Sequence, residues 1–353
     1  MKLLILTQRV DKNDDVLGFF HDWIAEFAKR CEKVTVIALG VGEYDLPRNV
    51  KVLSLGKELS SQMSKVYKVE SKKKYTFNFY RYIWSERNSY DNVFVHMNPE
   101  YVVLGGLFWR IMGKKIGLWY THKSVDLKLR IAEKLTHTIF SASKESFRLK
   151  SKKLNIVGHG IDINKYICKS TSTRKEIDIL CVGRISEIKN QKLLINAVDI
   201  LVNQNKQRDL KVALIGTATL SKDKLYLDEL KNFVNEKGLN NNIIFEGSVP
   251  NKDILKYYCK SKIAINLSPT GGLDKVVLES MAVGLPTIVL NKTFKNILPN
   301  NFIISDKNAS VLAGKIKEIL KEPVLQKQLT EKVKRDFSLQ ELITKVLNLY
   351  YAK

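Results

Sequence analysis

The chain opens with a continuous apolar run, Leu3 to Leu6 in KLLILTQ (2–8), and then changes period. In DDVLGFFHDWIAEFAKR (14–30) apolar residues recur every third or fourth position. A continuous run suits a strand covered on both faces, and the longer period suits a helix laid against it. The same alternation continues through KVTVIAL (33–39), NVFVHM (92–97), KKIGLWYTH (114–122), HTIFSAS (137–143) and LNIVGHG (154–160), with helix-like segments between them. After CKSTSTRKE (168–176), short, polar and without an apolar pattern, it restarts. IDILCVG (177–183), LKVALIG (210–216), NIIFEGS (242–248), KIAINLS (262–268) and PTIVL (286–290) read as strands. NQKLLINAVDILVNQ, LYLDELKNFVNEKG, NKDILKYYCK and DKVVLESMAVG read as the helices that separate them, and the tail from Ala309 is mostly helical. Strand–helix alternation of this kind predicts α/β architecture with parallel, doubly wound sheets. Residues 168–176 are the linker candidate, and ligands are expected at the C-terminal ends of the strands.

Composition adjusts this picture in three places. At 353 residues the chain is long enough for two cores, and 44% hydrophobic with 27% charged residues is ordinary for globular protein. No apolar run is long enough to span a bilayer, and MKLLILTQRV reads as a first strand instead of a leader. Cys31, Cys168, Cys181 and Cys259 are scattered. That predicts reduced thiols and a cytoplasmic setting, with neither a zinc site nor a disulfide framework.

The formal charge of +23 implies attraction to polyanions, unless it is only a dispersed lysine surface. One segment clusters. Residues 57–87 carry eight bases against three acids, interleaved with Tyr75, Phe77, Phe79, Tyr80, Tyr82 and Trp84. Such a segment suits an anionic membrane interface. It equally suits an amphipathic helix whose rings face the core.

Two stretches carry chemistry. In IDILCVGRISEIKNQKLLINA a strand ends at Gly183, Arg184 and Lys189 follow, and a helix begins near Asn190. Two cations at a strand edge beside a helix N-terminus make a diphosphate site. In PTGGLDKVVLESMAVGLPT (269–287), Gly271 and Gly272 permit close backbone approach before a helix beginning near Asp274. Glu279, inside that helix, is placed to accept hydrogen bonds from a ribose diol. His122 follows the strand 114–122 at its C-terminal end. Solvated cations, a salt-bridged glutamate and a helix-capping histidine are the plain alternatives. His159 reads as a hinge or structural residue, and His21, His96 and His137 as structural.

These stretches together resemble the family-four (group 1) retaining glycosyltransferases of GT-B fold. GRISEIKNQKLLINA is similar to that family's G-R-x-x-x-x-K segment, and LDKVVLESMAVGLPT to the second half of its E-x7-E region. WYTHKSVDLKLRIAEKLTHTIFSASKES, VGHGIDINKY, IGTA and FEGSVPNKDILKYYCKSKIAINLSP extend the likeness along nearly the whole chain. The resemblance implies two Rossmann-like domains facing a central cleft. Residues 1–167 would bind the acceptor and 176–338 the nucleotide-sugar, with a C-terminal helix of about 339–353 packed back on the first domain. It assigns donor contacts to Gly18, Gly183, Arg184, Lys189, Gly247, Ser248, Val249, Gly271, Gly272, Leu273, Asp274, Lys275, Val276 and Glu279. His122, Arg184 and Lys189 take the catalytic roles. Gly271 stands where the family pattern has its first Glu, so sugar recognition here leans on Asp274 and Lys275.

The expected activity is retaining, metal-independent hexose transfer from a UDP-sugar, or a GDP-sugar, to an acceptor hydroxyl in cell-surface polysaccharide or lipid-linked glycan synthesis. No cofactor is expected. The location implied is cytoplasmic or peripheral on the inner membrane face. A nucleotide-sugar epimerase on the same fold is the alternative reading. A basic nucleic-acid-binding protein is a further one, for which the ordered cation and carboxylate motifs have no use.

Overall fold

The computed structural model describes residues 1–14, 16–60, 67–168, 175–269, 272–321 and 326–351, with side chains throughout except at 59, 60, 67–71, 252 and 326. The chain divides into two compact units, Met1–Gly160 with Leu339–Lys353, and Ile161–Ser338.

The first unit runs β1 (Lys2–Val10), α1 (Gly18–Arg30), β2 (Lys33–Val41), β3 (Val50–Ser54), α2 (Tyr67–Ser85), β4 (Asn92–His96), α3 (Pro99–Ile111), β5 (Lys115–Trp119), α4 (Leu127–Leu135), β6 (Thr138–Ser141) and β7 (Leu154–Ile156). Its sheet has the order β3-β2-β1-β4-β5-β6-β7, with every pairing parallel. Alternate residues of each strand serve opposite faces. Leu4, Leu6, Val93, Val95, Ile116 and Leu118 pack under Phe79 and Ile83 of α2, Val102 and Trp109 of α3, and Leu129 of α4. Phe94 and Phe140 point the other way, where Phe94 meets Phe27 of α1 and Phe140 meets Tyr350 of the C-terminal helix (Leu339–Tyr351). The Tyr350 hydroxyl donates to the Val93 carbonyl at 2.8 Å. Gly117 makes that approach feasible, since a Cβ there would strike the Tyr350 hydroxyl and the Phe140 ring.

The second unit runs β8 (Ile177–Val182), α5 (Gln191–Asp199), β9 (Val212–Ile215), α6 (Ser221–Glu236), β10 (Ile243–Gly247), α7 (Ile254–Lys260), β11 (Ser261–Asn266), α8 (Lys275–Ala282), β12 (Thr287–Val289), α9 (Ala309–Lys321) and α10 (Gln326–Asp336). The sheet order is β10-β9-β8-β11-β12, again all parallel. In each sheet the order reverses beside the unit's first strand, between β1 and β4 and between β8 and β11. Loops diverge there and leave a crevice. Among the described residues no helix is long and apolar enough to cross a membrane.

Three expectations meet a different structure. The short edge strand β3 lies in NVKVLSL, too polar and half-exposed to show in the apolar pattern. The boundary between units falls at Gly160–Ile161, ahead of the polar stretch 168–176, of which 169–174 lie outside the described residues. Residues 161–168 join the second unit because Ile161 pairs with Ser338 and the Tyr166 ring packs against Tyr258. The expectation of reduced cysteines and no disulfide is overturned at one pair. Cys168 and Cys259 are disulfide-bonded across 91 residues of sequence, while Cys31 and Cys181 are free and buried. Scattered spacing hid a proximity that only folding creates.

Candidate functional site

In the second unit, Gly183 directly follows β8 with a φ of 149° open only to glycine, and Gly216 directly follows β9 with φ 136°. A Cβ on Gly216 would collide with the Gly183 carbonyl, so the two loops leave the sheet in contact. Lys189 and Asn190 follow, and Asn190 takes left-handed φ and ψ (52°, 37°) to turn the chain into α5. Its amide donates to the Leu267 carbonyl at 2.7 Å, tying this loop to the one after β11.

Across that tie the Lys189 ammonium donates to Ser268 Oγ at 2.8 Å and lies 3.4 Å from Asp274 Oδ1. Asp274 is the residue from which α8 starts, and its Oδ2 is buried without a hydrogen-bond partner. The cation and the helix N-terminus thus occupy one spot, with the Asp274 carboxylate holding the ammonium there. The Arg184 guanidinium leaves the same loop half-exposed, with Nε 3.7 Å from Asp223 Oδ2. Such an array suits an anion with several oxygens.

Glu279, one turn into α8, is buried, and its Oε2 accepts from the Tyr258 hydroxyl at 2.9 Å. Burial, then the adjacent Glu279 carboxyl, pushes the Tyr258 hydroxyl well above the usual tyrosine range, so it stays a proton donor. Tyr258 precedes the disulfide-bonded Cys259 on α7.

The remaining predicted positions fall around this core. Gly247 (φ 72°) ends β10, and its carbonyl accepts from Gly216 N at 2.8 Å; exposed Ser248 and half-buried Val249 follow. Asn291 Nδ2 holds the Gly272 carbonyl at 2.7 Å, Leu273 is buried, and Lys275 and Val276 open α8 half-buried. Gly271 lies outside the described residues.

Gly18 and His122 belong to the first unit. Gly18 opens α1, where Asp14 Oδ1 accepts from Leu17 N at 2.7 Å, and a Cβ on Gly18 would press on the Lys12 carbonyl. At the β1/β4 reversal lies a cavity of about 410 Å³, lined by His122 together with Gln8, His96, Asn98, Tyr120 and Asp126. His122 Nδ1 accepts from Ser124 N at 3.1 Å, which places the neutral ring's proton on Nε2. Gln8 Nε2 donates to Asn98 Oδ1 at 2.7 Å, and His96 stacks on Phe20 with centroids 3.9 Å apart. Met97 between them holds φ at 64°, a strained value for a side chain of its size. Burial, then Asp126 and Glu100, raises the Tyr120 hydroxyl's pKa.

Sequence reading missed His96, Gln8, Asn98 and Tyr258. The last three carry no motif, and His96 inside an apolar strand looks like core. A histidine at a strand's C-terminal end beside the topological reversal was the available signal.

Residues 162–336, nearly the whole second unit, match the family model described as glycosyl transferases group 1. This chain carries a group 1 glycosyltransferase domain. Mannosylfructose-phosphate synthase of Agrobacterium fabrum is 27% identical over 154 residues, 41% of this chain and 34% of that protein. An uncharacterized glycosyltransferase of Haemophilus influenzae is 24% identical over 216 residues, 58% of each chain. The matched segments therefore span between a third and three-fifths of these relatives' lengths. Among solved structures, Anabaena HepE in complex with UDP superposes over all of both chains with TM-score 0.76 at 16% identity. Sucrose-phosphate synthase from Thermosynechococcus elongatus covers 99% of this chain and 98% of its own, with TM-score 0.77 at 14% identity. The architecture is that of the GT-B glycosyltransferases: α/β, with two parallel sheets.

Proposed function

We propose that the protein transfers a hexose-type sugar, with retention, from a nucleoside diphosphate donor to an acceptor hydroxyl. The observation that carries this reading is the joining of Lys189, Ser268, Asp274 and the start of α8 at the β8/β11 reversal, inside the group 1 domain. Arg184, Lys189 and the N–H groups of α8 take the charge that builds on the leaving diphosphate. Gly183 and Gly272 let the backbone come close, and Gly271, a further proposed donor contact, lies outside the described residues. Glu279, held by Tyr258, accepts the ribose hydroxyls, while Gly247, Ser248 and Val249 flank the base. Leu273, Asp274, Lys275 and Val276 border the sugar and phosphates. Gly18 lends the loop of the first unit.

As the bond from the anomeric carbon to the diphosphate oxygen breaks, its electron pair passes to that oxygen. The acceptor oxygen bonds to the same face of the carbon and gives its proton to the departing phosphate. His122, with its proton on Nε2, donates to a sugar hydroxyl beside the reacting carbon. The two cations and the α8 terminus lower the barrier by on the order of 9 kcal/mol, about 3 kcal/mol for each well-placed donor. Catalysis in this scheme routes no step through a metal. HepE, a structural neighbour, is solved with UDP and with UDP-glucose, which favours a UDP-sugar over a GDP-sugar. The acceptor is read as a lipid-linked glycan or cell-surface polysaccharide precursor.

A thermal-shift panel of nucleoside diphosphates and their sugars tests the reading. UDP and a UDP-hexose should raise Tm, and Arg184→Ala should abolish the rise. No shift with any nucleotide would end the proposal. Consumption of the donor to an epimer without any acceptor would replace it with the epimerase reading.

A further inference from the structure

The basic, aromatic segment at 57–87 splits in the structure. Phe79 and Ile83 of α2 are buried in the core, and Tyr75 and Tyr82 pack partly against it. Phe77, Tyr80 and Trp84 face outward, spaced three and four residues apart on one side of the helix. On α3 the outward stripe is Leu104, Leu107 and Ile111, again at helical spacing.

The two stripes adjoin. The Tyr80 hydroxyl donates to the Leu104 carbonyl at 3.1 Å, and the Trp84 ring lies 5.7 Å from that of Phe108. Phe77, Trp84, Leu107 and Ile111 are 67%, 55%, 64% and 78% exposed. Neither helix needs this face for the fold, since Phe79 and Ile83 on one and Val102 and Trp109 on the other already anchor them. An apolar surface running across two helices is beyond the scattered exposure ordinary to a globular protein.

Its charged surround identifies the partner. Lys72, Lys73, Lys74 and Arg81 of α2 and Arg110 of α3 are exposed, and the Arg87 guanidinium sits 4.4 Å from the Trp84 ring centre. Among the described side chains of 72–87 and α3, the acids are already engaged: Glu86 with Lys51 at 2.6 Å and Glu100 with Lys128 at 2.8 Å. A second copy of the chain on this face would set the same cations against one another. A nucleic acid would match the cations but leave Leu107 and Ile111 unused. Anionic headgroups over an acyl boundary satisfy both sets, with the tryptophan and tyrosine at the polar–apolar border.

We infer that the joined outer face of α2 and α3 docks the protein on an anionic lipid bilayer, with Phe77, Trp84, Leu107 and Ile111 entering the headgroup layer. The inference stands apart from the transferase reading, because the donor loops lie in the other unit.

Co-flotation of the full chain with vesicles tests it, using phosphatidylcholine alone and phosphatidylcholine containing phosphatidylglycerol. Binding should be at least tenfold tighter to the anionic vesicles and should weaken with salt. Leu107→Ser with Ile111→Ser should lower it about tenfold or more. Lys72→Glu with Lys74→Glu should bring anionic binding down to the neutral level. Both double variants change exposed side chains and should keep the parent Tm and UDP-induced shift, so a failure here is separable from a failure of donor binding. Equal or absent binding to the two vesicle types overturns the inference, as does unaltered binding by Leu107→Ser/Ile111→Ser. A dimer in gel filtration that the same double variant converts to monomer would assign the face to a second copy. Tight duplex DNA binding lost with the lysines alone would assign it to nucleic acid.

Discussion

At the mouths of β8 and β11 the loops carry Arg184, Lys189 and an α8 terminus whose Asp274 has an unbonded oxygen. At the mouths of β1 and β4, the corresponding point of a sheet wound the same way, the cavity is lined by imidazoles, amides and carboxylates: His96, His122, Gln8, Asn98 and Asp126. The first array suits an anion. The second suits hydroxyls, which both donate and accept, and among its lining residues it has no lysine or arginine to hold a diphosphate. Topology thus decides where each unit can bind, and side chains on the loops decide what.

The sharpest way to break that contrast is to remove its central cation. Lys189→Ala should weaken UDP binding about 100-fold, measured by calorimetry, while uridine binding changes little. Equal losses for UDP and uridine would mean that Lys189 supports the loop and does not meet phosphate. Next in size, His122→Ala should lower kcat about 100-fold and leave UDP affinity within twofold of the parent. A lost UDP shift would instead join His122 to the donor site.

A smaller effect separates ribose from phosphate. Tyr258→Phe takes the donor from Glu279 Oε2 and should weaken UDP and uridine alike by about five- to tenfold, roughly 1 kcal/mol. A loss confined to UDP would contradict the ribose role of Glu279. The smallest effect concerns the first unit's frame. Burial, then Arg110, Lys153 and Lys115, holds the His137 imidazole below its ordinary value, and Nδ1 accepts from Ile116 N at 3.0 Å. The unfolded chain then takes up the proton first as pH falls. The stability contributed is complete above about 6.5, the unperturbed value, and is lost as pH drops toward the lowered folded value. His137→Asn should flatten the fall in Tm between pH 7 and 5 by about 2 °C. A steeper fall would reverse the sign and discard the assignment.

The parts legible in advance were local ones. Among the described residues, eleven of the twelve strands stand in segments with consecutive apolar residues, and the exception, β3, is a half-exposed edge with a polar sequence. The cations were legible for a similar reason, because Arg184 and Lys189 stand within one loop. What surrounds them was not. Ser268 and Asp274 lie 79 and 85 residues from Lys189, and Tyr258 reaches Glu279 across 21. The basic, aromatic segment shows the same limit. Its composition favoured a membrane face without excluding a core face, and the structure buries Phe79 while exposing Trp84 five residues later.

From the order of residues alone follow two parallel sheets, the loops that leave their carboxyl ends, and the cations on those loops. Each of these is written in a window of a few residues, where hydrophobic period and backbone preference act directly. The tertiary structure alone decided that Cys168 meets Cys259, that Asp274 sits against Lys189, that Tyr258 steadies Glu279, and that His96 shares a cavity with His122. Those pairings depend on which segments the sheet order brings side by side, and contact between distant segments leaves no trace in local periodicity.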